Sequence, residues 1–193
     1  MKYRLILFVL FIFFSGESIR AQFGKFDSTA RSGKISYRVI CNNKNVDRNE
    51  VIVKLGGFEK EARSAWDFFA RGRVTGIYMD DVNNDGFFDL LVTVYSGPNG
   101  EFGTMYTFAS QENKSLITFL LPDPMMDGKL NTGYKGYDQF SMLDGTVLRK
   151  FPIYKAGDEK GSPTGGYRVA QYQAVREEQR GYKFQLLRTY DTK

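Results

Sequence analysis

Eight consecutive residues, Phe88 to Tyr95 (FDLLVTVY), constrain the fold more than any other stretch of the chain. Side chains alternate across a strand, so Leu90, Val92 and Val94 share one face while Leu91, Thr93 and Tyr95 share the other. A strand that is apolar on both faces must be covered on both sides. It sits inside a longer run, Ile77 to Phe108, with an acidic turn (Asp81 to Gly86) before it and a glycine-rich turn (Ser96 to Glu101) after it.

The rest of the chain supplies short strand-like runs separated by turn residues. Lys34 to Cys41, Glu50 to Leu55, Val74 to Met79, Phe102 to Ala109 and Leu116 to Leu121 alternate well enough to pair. Arg63 to Phe69 suits a strand better than a helix, because Trp66, Phe68 and Phe69 are good strand residues and Gly72 follows closely. Residues 122 to 140, rich in Gly, Pro, Tyr and Asp, form an ordered excursion. Asp144-Gly145 joins Gln139–Leu143 to Thr146–Tyr154 as a tight hairpin, and Tyr167–Val175 with Tyr182–Tyr190 closes the chain. The sequence shows no internal repeat. With 20 glycines and 16% aromatics, the expectation is a mostly β protein, a single-domain antiparallel β-sandwich or open barrel with long loops.

The first residues read as an address. Lys2 and Arg4 precede an apolar run from Leu5 to Phe14 and a polar end at Ser18-Ile19-Arg20-Ala21, the pattern of a secretory signal peptide over residues 1 to 21. The apolar run is about half the roughly 20 residues a membrane span needs. Residues 22 to 33 carry no period and are expected to be a mobile leader, with one β domain over 34 to 193. The protein is therefore expected to be exported, periplasmic or secreted, and not membrane-spanning.

Two absences remove whole classes of chemistry. The sequence has no histidine, which excludes Ser-His-Asp and Cys-His hydrolases and His-liganded zinc sites. Cys41 is the one cysteine, so no intramolecular disulfide forms, and in a strand it reads as a small buried hydrophobe. Removing Lys2, Arg4 and Arg20 with Glu17 lowers the net charge from +5 to +3. The remaining charges are interspersed, which argues against nucleic acid as partner.

Asp81, Asn83, Asp85 and Asp89, with Gly86 at the bend and the Phe87 carbonyl, fit a D-x-N-x-D-G-x-x-D calcium loop. Position twelve is Val92, where an EF-hand needs a bidentate Glu. Propeller-type calcium turns repeat, and here there is one copy. The same residues also suit a structural hairpin turn, because Asp and Asn bond nearby backbone and tolerate left-handed conformations. Calcium therefore stands as a possible cofactor with none required. Asp80, Asp81, Asp85 and Asp89 all lie on one turn, whereas a glycosidase needs carboxylates facing each other across substrate. A non-catalytic protein is expected.

The order of motifs carries one more expectation. Glu61-Ala62-Arg63-Ser64, Arg73-Val74 leading into Asp81–Gly86, the strand Leu90–Val94 and the glycine-rich hairpin together resemble the periplasmic inhibitors of invertebrate-type (I-type) lysozymes. Those are small secreted bacterial β-sandwich proteins, and the similar part covers about residues 50 to 120. GYKGYDQF, Asp144-Gly145 and FPIYKAGDEKGSPTGGYR are similar to longer exported relatives. The resemblance implies inhibition by a loop that enters the lysozyme cleft and meets its catalytic acids. The matching loop holds Ser96, Gly97, Asn99, Gly100 and Phe102, with Asn99 where the family has Ser and Phe102 where it has Tyr. Glu101 would carry negative charge toward an acidic cleft, which opposes binding. A cell-wall glycan is the alternative partner, and Tyr134, Tyr137, Phe151, Tyr154, Tyr167 and Tyr172 are candidates for a sugar-binding face or for the core. Asp158 and Arg168 are candidates to pair across the loop Lys155–Gly166.

Overall fold

A computed structural model describes residues 24–60, 62–179 and 181–193; residues 1–21, expected to be a signal peptide, and Glu61 lie outside the described residues. Among the described residues, twelve strands form three four-stranded antiparallel sheets, each a meander. The first holds β1 (Phe26–Ser32), β2 (Ile35–Cys41), β3 (Asn49–Gly56) and β4 (Ala65–Ala70). The second holds β5 (Arg73–Asp80), β6 (Asp89–Ser96), β7 (Phe102–Gln111) and β8 (Ser115–Leu120). The third holds β9 (Gln139–Leu143), β10 (Thr146–Pro152), β11 (Tyr167–Glu177) and β12 (Gly181–Thr192). The mostly β expectation holds, as an open sandwich of three layers. Among the described residues no helix is long and apolar enough to cross a membrane.

The two cores explain the layering. Tyr37, Val39, Val51 and Val53 from the first sheet meet Leu90, Val92, Val94 and Phe108 from the second. Leu91 and Met105, on the opposite face of the second sheet, meet Val147, Phe151, Tyr172 and Phe184 of the third. β6 is thus the central strand, buried from Asp89 to Val94, as its two-faced apolarity requires.

Three features depart from the sequence reading. Residues 26–32, expected within a mobile leader, form β1 and pair with β2 from Phe26↔Cys41 to Ser32↔Ile35. Their alternation is real, with Asp27, Thr29 and Arg31 exposed, but the inward residues after Phe26 are only Ser28, Ala30 and Ser32, too small to signal a strand. The same meander recurs three times although no sequence repeat marks it. Finally, Asn43 of the turn after β2 is a buried clasp. Its side chain accepts from Val74 N and donates to the Val74 carbonyl, both at 2.8 Å, and so ties the first sheet to β5.

Cys41 is 1% exposed, its thiol donates to Asn43 Oδ1 at 3.1 Å, and burial pushes its pKa up. The core reading also holds for Tyr134, Phe151, Tyr154 and Tyr172, which are all buried.

Candidate functional site

The glycine-rich turn joins β6 to β7, so it is mounted on the two innermost strands of the middle sheet. Gly100 N donates to the Gly97 carbonyl at 3.0 Å, closing a turn whose tip, Pro98 and Asn99, is exposed. Gly97 has φ +88, and a Cβ there would lie 2.5 Å from Glu101 Oε2, so two constraints fix glycine at this point.

Glu101 does not point outward. It is 3% exposed, and its carboxylate accepts from Asn99 N at 3.0 Å, Asn99 Nδ2 at 3.1 Å and Lys160 Nζ at 2.6 Å. Burial alone would raise its pKa, but the Lys160 ammonium and the Asn99 donors outweigh burial and hold it at about 2. The Glu101 carbonyl accepts from Tyr137 N at 2.5 Å. The β6–β7 turn, the excursion before β9 and the β10–β11 loop therefore converge on one residue.

Ser96 Oγ makes a long bond, 3.4 Å, to the Phe102 carbonyl. Phe102 itself is 43% exposed and leans toward Tyr134, ring centroids 6.2 Å apart. Beside it opens a groove of about 550 Å³, lined by Ser96, Phe102, Tyr106, Leu120, Met125 and Arg71 among others. Its walls mix apolar side chains with polar and charged ones, Thr104, Asp123 and Arg149 among them.

Beneath the loop lies a buried ion pair with no counterpart in the sequence reading. Arg149 is 1% exposed; its Nε donates to Asp138 Oδ1 at 2.8 Å, its Nη1 to the Pro122 carbonyl at 2.7 Å, and its Nη2 to the Gly103 carbonyl. Asp138 Oδ2 in turn accepts from Gly103 N at 2.8 Å and Tyr134 Oη at 2.7 Å, and Tyr95 Oη donates to the Asp138 carbonyl at 2.7 Å. Both charges are paired and further hydrogen-bonded, the condition for burying them. Gly103 passes so close that a Cβ would meet Phe140 Cε2 at 2.7 Å and Asp138 Cβ at 2.9 Å. Alternation puts Arg149 on the inner face of β10, and that placement was the one available signal for an inward charge.

The acidic loop spans the gap between β5 and β6. Asp81 accepts from Asp85 N at 3.0 Å and Gly86 N at 2.8 Å; Asp85 accepts from Asn83 Nδ2 and Phe87 N, both at 2.9 Å. Asp89 faces inward, fully buried, with one oxygen on Val82 N at 3.1 Å and the other on Ser110 N at 2.8 Å. Burial pushes its carboxyl up to about 7, against the pull of those two amides and with a further push from Asp85 and Asp81. Tyr37 Oη donates to the Phe88 carbonyl at 2.7 Å, anchoring the loop to the first sheet. The structure thus gathers Asp81, Asn83 and Asp85 and separates Asp89 from them; among the described residues no three Asp, Glu, His or Cys side chains converge on one point.

The expected pair of Asp158 and Arg168 does not form. Asp158 braces its own loop, accepting from Lys155 N at 2.7 Å and from Thr164 N and Oγ1 at 2.9 Å. Arg168 instead forks onto Asp191 of the neighbouring strand, at 2.7 and 3.0 Å.

The chain matches no protein-family model, no curated protein and no solved structure.

Proposed function

We propose that this is an exported binding protein that does not catalyse, and that the β6–β7 turn is its contact element, acting as a lysozyme-inhibitor-like wedge in an acidic enzyme cleft. The observation that carries this reading is the inward, Lys160-neutralised position of Glu101. It withdraws the negative charge that the turn itself, Ser96 to Phe102, would otherwise carry into an acidic cleft. The exposed tip is then Pro98 and Asn99, followed by Phe102 as an apolar anchor. Asn99 keeps its side-chain carbonyl and one amide hydrogen for a partner. A turn braced from two other loops loses little freedom on binding, which favours affinity. Inhibition assays with I-type, chicken-type and goose-type lysozymes test the reading. Inhibition of at least one is expected, and none at micromolar protein overturns it.

The acidic loop supports a second reading, an envelope module stabilised by calcium. Asp81, Asn83 and Asp85 already lie together on one loop. With Asp89 turned inward, those three and the Phe87 carbonyl would be the protein ligands, and water would complete the shell.

A further inference from the structure

The outward faces of the first and third sheets differ in one respect. On the first, cations are interspersed with acids: Arg38 forks onto Asp27 at 2.8 and 2.9 Å, Arg63 bonds Asp67 at 3.0 Å, and Glu50 shares the face with Arg31 and Lys54. On the third they are not. Register places Lys150 beside Val169 and Tyr190, and Arg188 beside Gln171, all on the outward side with Tyr167. The carboxylate on that side of these strands, Glu177, is taken by Lys183 at 2.9 Å.

The two remaining cations are held in place by neighbours that do not neutralise them. Lys150 Nζ sits 4.2 Å from the centroid of the Tyr167 ring, and the Arg188 guanidinium 5.9 Å from that of Tyr190. Arg188 Nε also donates to Gln171 Oε1 at 2.7 Å, and Gln171 Nε2 donates to Thr146 Oγ1 at 2.8 Å. Rings and amides orient a cation while leaving its charge available. Tyr167 and Tyr190 are 37% and 45% exposed.

We propose that this face binds an acidic polysaccharide laid across β10, β11 and β12. Its ordered cations meet carboxylates, while Gln173, Gln185 and the tyrosine hydroxyls meet sugar hydroxyls. A sheet face suits an extended polymer, since small molecules seek concave sites. A row of amides through its middle is poor chemistry for contact with lipid, where apolar side chains are required.

Affinity electrophoresis and calorimetry with polygalacturonate test this, with dextran, polyglutamate and phosphatidylserine vesicles as comparisons. Retention by polygalacturonate over dextran is expected, weakening as salt rises. Lys150→Gln with Arg188→Gln should lower affinity about tenfold at an unchanged melting temperature; Lys150→Gln alone, at a partly exposed position, gives the same direction if the pair fails to fold. No retention, unchanged affinity in the variants, equal affinity for polyglutamate, or preference for vesicles would each overturn the proposal. The glycine-rich turn is a separate site, so Asn99→Ala should bind polygalacturonate as the parent does, whatever the lysozyme assays show.

Discussion

Lys160 reaches Glu101 at 2.6 Å across 59 residues of sequence, and this bond decides what the glycine-rich turn presents to a partner. Lys160 lies on the β10–β11 loop of the third sheet, Glu101 on the middle sheet. The turn's charge is therefore set by a residue outside the hairpin that forms it.

The pH dependence of stability follows from that bond. Glu101 has a folded pKa of about 2 against an ordinary value of 4.5, so its contribution is fully present above about 4.5 and is lost as pH falls toward 2. Lys160→Ala leaves burial opposed by fewer donors, raising the Glu101 pKa and moving acid unfolding to higher pH. Circular dichroism through an acid titration checks this; coincident curves for parent and variant would mean that the ammonium contributes nothing.

Breaking the Arg149–Asp138 pair should be as damaging as truncating a large core residue. Arg149→Ala leaves Asp138 buried without its cation, a loss of roughly 3–5 kcal/mol. Gly103→Ala at the same junction forces Phe140 and Asp138 apart and should cost about 1–3 kcal/mol. Urea denaturation measures both, and a loss under 1 kcal/mol for Arg149→Ala would contradict the network.

The wedge reading makes separate demands on Phe102 and Asn99. Phe102→Ala should weaken lysozyme inhibition by roughly 2 kcal/mol, as expected for an aromatic anchor, with Asn99→Ala weaker in effect because Asn99 also bonds Glu101. Full inhibition by both variants would place the contact elsewhere.

Calcium has its own readout in the melting temperature. Millimolar calcium should raise it in the parent and not in Asp81→Asn, by ligand linkage to the native state. No rise in the parent would leave the loop as a turn held by its own amides.

Legibility in the sequence followed the size of the inward side chains. β6 and the Asp144-Gly145 hairpin could be read because large apolar residues alternate around strong turn signals. β1 could not, since Ser28, Ala30 and Ser32 bury little surface. Its pairing comes from β2, which tertiary structure supplies and local pattern does not. The candidate loop was legible as a hairpin, but the direction of Glu101 was not, because its partner Lys160 lies in a distant loop. Arg149 and Asp138 drew no reading from sequence: alternation along β10 turns Arg149 inward, but its partner is brought to it by tertiary structure.

The arrangement of the three sheets has a consequence for the nascent chain. Synthesis proceeds from the first sheet to the third, so the first core can close while residues beyond 139 are still being made. Until β9–β12 arrive, the Leu91–Met105 face of the middle sheet has only Leu121, Leu130 and Tyr134 of the segment before β9 to cover it. That interval is when the chain is most prone to aggregate or to need a chaperone, and a truncation before β9 would make it permanent.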